Sequence, residues 1–596
     1  MDHNIFENSD RKMSDLELIK KTWRFIKQFL PQLILALGLM LILIAVDVIN
    51  PLITQMILQE LDLTKHAVID ITKVLIISIS YFVLILFNSL LIYFNTMLLQ
   101  RVGQSAIYNL RMIVFDHIDS LSLNQLNNIP VGSLVTRVTS DTNALCDLFT
   151  NTIINMIRNI LLLSATIFVI FTMDWRLALA IFIFVPIIFI STFIFRKYSR
   201  ANYRIVRKNF SIMNAFLNEN ISGMKITQIF NQEERKEKEF AKLNEEIVKS
   251  RKRDIKIFSI YRPFISFLNF FAVAVVFVLG SYLYLTKEIL DYTIIYTFYL
   301  YISRIFNPVQ SIADSFNGLQ RAFTSSERLY NLLETKPEVL DKEDAKEMNT
   351  FEGRIEFKNV WFAYKDDNWI LKDVSFVIEP KQVVAFVGAT GAGKTTILQL
   401  IVRNYEIQKG EILIDGVNVN DIQITSLKKN IGQMLQDVFL FSGTIESNIS
   451  LRDETITQEE IIEACKYVNA NQFIDKLENG LQEEVQERGE NFSSGQRQLL
   501  SFARTVVHKP QILILDEATA NIDTETEQVI QQSLLKMMNI GTMLIVAHRL
   551  STIQHSDNII CLQNGRIVEQ GNHQELLKNR GYYYNLYRLQ FEEQEQ

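Results

Sequence analysis

The stretch VVAFVGATGAGKTTILQLIVR, Val383 to Arg403, decides how the second half of the chain folds. Five apolar residues, Val383 to Val387, predict a buried strand, GATGAGKT, Gly388 to Thr395, satisfies GxxxxGK[ST], and TILQLIVR, Thr396 to Arg403, continues with helical spacing. Strand, loop and helix in that order suit a cradle for phosphate. Gly388, Gly391 and Gly393 let backbone N–H groups turn inward, and the helix start adds positive potential. Lys394 is placed to bridge terminal phosphates, Thr395 offers a hydroxyl to Mg²⁺, and Thr396 follows in the same cradle. The bland alternative, a glycine-rich turn, matches the pattern rarely in this context.

About 120 residues downstream, ILIL (Ile512 to Leu515) predicts a second apolar strand that ends in Asp516 and Glu517. One carboxylate there suits the shell of a metal ion and the next suits a base that polarises attacking water. An apolar run ending in two acids is a weak signal alone; its distance from the phosphate loop, and the segments between, strengthen it.

Further outward the composition changes. The chain has 596 residues, of which 48% are hydrophobic, too long for a single core and apolar enough for part of that core to face lipid. Long apolar runs fill the first 310 residues or so, whereas short runs broken by Gly, Asp and Lys follow residue 350, as in soluble α/β proteins. This predicts an N-terminal segment over 1–32, an all-α six-helix membrane domain with long cytoplasmic extensions over 33–321, a linker over 322–350, and an α/β nucleotide-binding domain over 351–596. A net charge of -6 argues against nucleic acid as a partner. Cys146, Cys465 and Cys561 are odd in number and far apart, so neither a disulfide framework nor a zinc site is expected.

No removable leader is expected in residues 1–32, which carry Asp2, Glu7, Asp10, Asp15 and Glu17. SDLELIKKTWRFIKQFL, Ser14 to Leu30, instead predicts an interfacial helix whose apolar stripe is Leu16, Ile19, Trp23, Ile26 and Leu30. Six spans follow: Leu33 to Ile53, Val74 to Met97, Ile153 to Met173, Leu177 to Phe195, Ile265 to Leu285 and Thr293 to Val309. The sixth is weakest, since Arg304 and Pro308 suit a helix facing a polar cavity. Basic residues gather between spans four and five, from Lys197 to Lys208 and from Arg235 to Lys256, which places that segment, both termini and the ATPase half in the cytoplasm. Asp47, inside the first span, either takes part in function or stabilises helix packing, and the sequence shows no partner for it. Tyr296, Phe298, Tyr299, Tyr301, Phe306 and Phe316 are candidates to line an apolar substrate cavity, and packing is the competing explanation for each.

FSSGQRQLLSFARTVVHKPQILILDEATANID, Phe492 to Asp523, resembles the signature motif, Walker B strand and D-loop of the ATP-binding cassette (ABC) transporter family, and the resemblance extends over essentially the whole chain. It implies that Tyr364 in WFAY stacks on adenine, that Gln436 in LQD senses the nucleotide near Mg²⁺, and that His548 in VAHR meets the γ-phosphate. It also implies a catalytic role for Glu517, metal ligation by Thr395, Gln436 and Asp516, and nucleotide contacts from Asp523 of the D-loop. The order of domains, the interfacial helix and QERGEN, Gln486 to Asn491, resemble the exporter branch. By the same resemblance, Gly132 to Asp141 and Asn218 to Lys225 sit where members have coupling helices.

One departure stands out. The signature motif is usually LSGGQ, and here Ser494 replaces its first glycine. In this family the signature of one ATPase domain closes over ATP held by the other, and a Cβ hinders backbone approach to phosphate. The site completed by Ser493, Gly495 and Gln496 is therefore expected to bind ATP but hydrolyse it poorly. With Lys394, Asp516, Glu517 and His548 intact, the resemblance implies an asymmetric heterodimer with a second half-transporter; a homodimer tolerating serine is the alternative. The expected function is ATP- and Mg²⁺-dependent export of amphipathic, multidrug-type molecules across a bacterial plasma membrane. A lipid or peptide transporter of the same fold is the nearest rival, and a binding-only regulatory subunit would have no need of Glu517.

Overall fold

The computed structural model describes residues 15–61, 70–286, 291–365, 368–434, 438–516, 524–546 and 553–594. The chain forms two compact units: one contains residues up to Asp119 together with Val131–Thr335, the other Ser120–Pro130 together with Lys336 onward.

The first unit is helical because a chain in hydrocarbon must satisfy its own backbone N–H and C=O groups. Among the described residues, five helical segments are long and apolar enough to cross a membrane: Lys27–Glu60, Ile71–Ser120, Val131–Met173, Trp175–Ser222 and Glu233–Leu285. A sixth helix, Thr293–Leu333, forms as expected but lacks a membrane-length stretch as apolar as those of the other five. At about 1.5 Å per residue, a 50-residue helix such as Ile71–Ser120 outruns a hydrocarbon core of about 30 Å more than twofold. The fourth and fifth segments likewise continue past their apolar windows into the basic stretch, ending in a turn around Gly223 and the short helix Met224–Ile229.

The N-terminal helix runs Asp15–Ile26. Among its described side chains Leu18, Thr22 and Ile26, four apart, face the protein, whereas Trp23 of the expected stripe points outward. The reason lies in the helix it meets. Tyr330 donates its hydroxyl to Thr22 Oγ1 at 3.2 Å and packs near Phe25, while Lys21 pairs with Glu334.

The first hairpin turns earlier than the resemblance implied. Its tip is the short helix Leu123–Asn127, closed at its N-terminus by a capping box in which Ser122 accepts from the Gln125 N–H; Gly132 to Asp141 already lie in the returning helix. The tip clusters with the second unit through polar contacts. Ser122 Oγ and Asn124 Nδ2 donate to Glu338 at 3.1 and 3.0 Å, and Gln125 Nε2 donates to the Lys336 carbonyl at 2.8 Å.

The second unit is built on a six-stranded sheet in the order Arg566–Gly571, Asn558–Gln563, Val383–Val387, Thr542–Val546, Ile512–Asp516, Ile431–Met434; all neighbours are parallel except the first pair. Its central strands are buried on both faces, as parallel strands normally are. Val383, Ala385 and Val387 join one apolar cluster with Leu513, Leu515 and the helix Ser494–Val507, while Val384 and Phe386 join another with Ile512 and Ile514. A four-stranded antiparallel sheet, Trp369–Ile378, Ile355–Ala363, Lys409–Ile414 and Val417–Asn418, covers the second cluster. All three cysteines are buried free thiols, and burial pushes those of Cys465 and Cys561 up to about 12.

Arg403 fastens the incoming linker to this unit. Its side chain is 1% exposed, reaches Asp341 and Glu406 at 3.2 and 3.3 Å, and donates to the carbonyls of Leu340 and Ile422. Arg403→Ala is expected to destabilise the unit by about 3 kcal/mol, the lower end for breaking a buried pair because both carboxylates reach water. Thermal unfolding of the full chain should show a lower melting temperature for the ATPase half; an unchanged melt would mean that the linker is held elsewhere.

Candidate functional site

Parallel register brings the site together. Val546 pairs with Phe386 on one side and with Asp516 on the other, so three strands end level and Asp516 sits beside the loop that leaves Val387. Carboxyl ends of parallel strands are where α/β sheets bind ligands. The loop then opens the helix Lys394–Ile401, with Gly393 as its N-cap at φ +104°. A Cβ on Gly393 would come within 2.6 Å of Leu371 Cδ2, and one on Gly388 would strike the Leu562 carbonyl. Gly391 has φ +83°, yet a Cβ there would meet nothing within 4 Å, so its conformation rather than crowding calls for glycine.

Lys394 is buried, and its ammonium donates to the Gly388 and Ala389 carbonyls at 2.7 and 3.2 Å, stretched along the loop it follows. Burial pulls its pKa below the usual lysine range, and the Asp516 carboxylate opposes that pull. Thr395 Oγ1 lies 3.4 Å from Asp516 Oδ1. That hydroxyl from the helix start and that carboxylate from a strand end fit a divalent ion of the Mg²⁺ kind, which takes few protein ligands and fills its shell with water and phosphate oxygen. Among the described residues no group of three or more His, Cys, Asp or Glu side chains offers an all-protein metal site.

Tyr364 is half exposed, and its hydroxyl meets Thr396 Oγ1 at 3.0 Å. Its ring stands edge-on to Phe362 and Tyr405, with centroids 4.9 and 5.0 Å away. Tyr405 in turn hydrogen-bonds Asn127 at the hairpin tip, a contact that no sequence motif signals. The signature segment forms the start of the helix Ser494–Val507. Ser493 caps it, accepting from the Gln496 N–H while Gln496 Oε1 accepts from the Ser493 N–H, and Gly495 is buried beneath. Ser494 stands in the first turn without a left-handed backbone, so serine there does not strain this chain. Gln436, Glu517, Asp523 and His548 lie outside the described residues.

The first unit holds two features. A cavity of about 490 Å³ is lined by Phe189, Thr192, Phe193, Val309, Ile312 and Phe316, with Arg196, Lys197, Arg200 and Gln320 at one end. Of the six aromatic candidates only Phe316 lines it, under the Arg196 guanidinium at 5.3 Å. Phe298, Tyr301 and Phe306 are packed in the helical core, where the Tyr301 hydroxyl donates to the Val48 carbonyl. Asp47 has partners that its own segment could not reveal: Arg158 at 3.2 Å and Arg304 at 4.0 Å. Arg158 was legible as an ionisable residue within an apolar span; what it meets was not.

Comparison with known proteins agrees with this geometry. Residues 33–309 match the ABC transporter transmembrane region and residues 371–520 match the ABC transporter ATPase model. The chain is 38% identical over 509 residues to the Bacillus subtilis "Probable multidrug resistance ABC transporter ATP-binding/permease protein YheH", covering 85% of this chain and 75% of that one. It is 33% identical over 501 residues to the ATP-dependent lipid A-core flippase of Syntrophus aciditrophicus, covering 84% and 83%. Its fold matches a bacterial Atm1-family ABC exporter solved with ATP bound, with a TM-score of 0.76 at 25% identity over 94% of this chain and 98% of that one. The chain belongs to the ABC transporter family. Within it, this is a membrane-embedded half-transporter of exporter fold, an ATP-binding and ATP-hydrolysing translocase whose kind works as dimers.

The loop geometry separates its glycines. Gly391→Ala should cost about 1 kcal/mol for the left-handed backbone alone, whereas Gly393→Ala adds a clash with Leu371 and should cost about twice that or more. Melting temperatures of the two variants check the order, and equal losses would contradict it.

Proposed function

We propose that this chain is one half of an ATP-driven exporter of amphipathic small molecules in a bacterial plasma membrane, paired with a second, different half-transporter. The cavity carries the substrate reading: an aromatic and aliphatic wall with three basic side chains at one end suits a molecule with an apolar body and a polar head. Relatives named for multidrug resistance and for lipid A-core flipping fall in the same chemical range.

In this reading Tyr364 stacks on adenine, and Gly388, Gly391, Gly393, Lys394, Thr395 and Thr396 hold the phosphates. Thr395, Asp516 and Gln436 would hold Mg²⁺, which when bound neutralises charge building on the phosphates. Glu517 accepts the proton of the attacking water, His548 donates to the γ-phosphate, and Asp523 contributes from the D-loop. Ser493, Gly495 and Gln496 close over the nucleotide held by the partner. Closure of the two ATPase domains opens the cavity outward, and hydrolysis resets it.

Ser494 supports the asymmetric pairing. Its backbone is ordinary, so its Cβ and hydroxyl weigh only on the phosphate that approaches the helix start from the other chain. Hydrolysis then runs at this chain's own phosphate loop. Glu517→Gln should lower ATP turnover and transport in proteoliposomes by about 100-fold or more while ATP binding persists. Ser494→Gly should change turnover by less than about twofold, because the partner's site lacks its base in this reading. Full transport by E517Q would sink the pump assignment; a large gain in S494G would sink the asymmetry.

A further inference from the structure

Asp47, Arg158 and Arg304 come from three different helices, Leu30–Glu60, Ile153–Met173 and Thr293–Leu333. Their depth follows from the outer ends of those helices, two of which are tied level by the hydrogen bond from Gln59 to Asp291. Asp47 lies thirteen residues before Glu60, Arg158 fifteen before Met173 and Arg304 eleven after Thr293. At about 1.5 Å per residue these are roughly 17–23 Å, the middle of a bilayer.

Two guanidinium groups therefore meet one carboxylate where an uncompensated charge is costly, and such groups face a polar space rather than lipid. The Asp47 carboxylate serves Arg158 closely and Arg304 only at 4.0 Å. Arg158 also keeps a buried Nε with no hydrogen-bond partner. In the single chain the side chains of Arg158 and Arg304 are 41% and 27% exposed, which leaves guanidinium surface that Asp47 does not cover. On the same helix Arg304 lies five residues, about 7.5 Å, outward of Val309 in the cavity wall.

We propose that Arg158 and Arg304, held around Asp47, form an oxyanion subsite for an amphiphile that carries one carboxylate or phosphate on an apolar chain. Planar guanidinium forks match both headgroups, and Asp47 limits the excess positive charge and so the affinity. The proposal rests on the amphipathic-substrate reading. Its test uses no nucleotide, so its outcome is independent of whether ATP drives export.

The assembled full-length transporter, in nanodiscs of phosphatidylcholine, is titrated with cis-parinaric acid and with its methyl ester, a neutral twin, after subtraction of empty discs. Arg304→Gln and Arg158→Gln should each weaken binding of the acid about tenfold and leave the ester unchanged. Arg304→Lys, which keeps the charge, should retain binding to within about threefold. Asp47→Asn should tighten binding of the acid, and a gain of affinity cannot come from a misfolded chain. Dodecyl phosphate should displace the acid from the wild type. Equal binding of acid and ester by the wild type, parallel shifts of both probes in the variants, or weaker acid binding in D47N would overturn the proposal. Loss of acid binding in Arg196→Gln with none in R158Q and R304Q would place the headgroup at the cavity rim and overturn it as well.

Discussion

The strand Val383–Val387 is buried at all five positions, and a strand enclosed on both faces and both edges can present a binding loop only at its ends, here at the carboxyl end where parallel sheets bind ligands. The geometry of the ATPase half depends on that constraint. The parallel partner Thr542–Val546 and, beyond it, Ile512–Asp516 end level with it, which is how Asp516, about 120 residues away in sequence, arrives 3.4 Å from the Thr395 hydroxyl. A one-residue slip in either pairing would turn Asp516 to the opposite face of the sheet and part that pair. Burial also makes Lys394 costly to hold charged, and the loop carbonyls of Gly388 and Ala389 with the nearby Asp516 offset that cost.

The helical half obeys a different constraint, the lack of water to satisfy its backbone, and this leaves side chains to supply all polarity inside it. Much of that polarity is local, as where the Ser164 and Thr297 hydroxyls donate to the carbonyls of Ile160 and Thr293 one turn earlier, and Thr192 and Tyr261 share a neutral hydrogen bond between two long helices. Asp47, Arg158 and Arg304 are the exception, because they gather charge from three helices. Farther along the helices, Arg196 lies over Phe316 and gives the cavity a charged end and an aromatic wall at once. Part of the cavity wall and the Arg304 charge thus lie along one helix, Thr293–Leu333, whose mixed composition made it the weakest of the six spans.

Local chemistry was the legible part of this protein. Val383 to Thr395 announce strand, loop and helix because each residue type there serves one physical need, and the same holds for the apolar run before Asp516. Contacts between distant segments were not legible, since pairing of Asp47 with Arg158 or of Asn127 with Tyr405 leaves no periodicity or spacing to read. The hairpin tip at Leu123–Asn127 falls outside the motif-based placement for a related reason: its signal is a capping box, Ser122 with Gln125, too short and common to single out. Aromatic residues in the sixth helix show the limit from the other side, because composition does not say which of them pack, as Phe298, Tyr301 and Phe306 do, and which line the cavity, as Phe316 does.

The pairing of unlike halves is the claim on which the reading of Ser494 turns, and the mass of the intact complex tests it most directly. Purified from its native membrane in mild detergent and weighed by mass spectrometry, the complex is predicted to contain this 69.2 kDa chain and one different half-transporter at one to one. The second chain should carry an LSGGQ-like signature and lack the glutamate or histidine equivalent to Glu517 or His548. A complex of two copies of this chain that hydrolyses ATP would contradict the account and make serine at position 494 a tolerated variant.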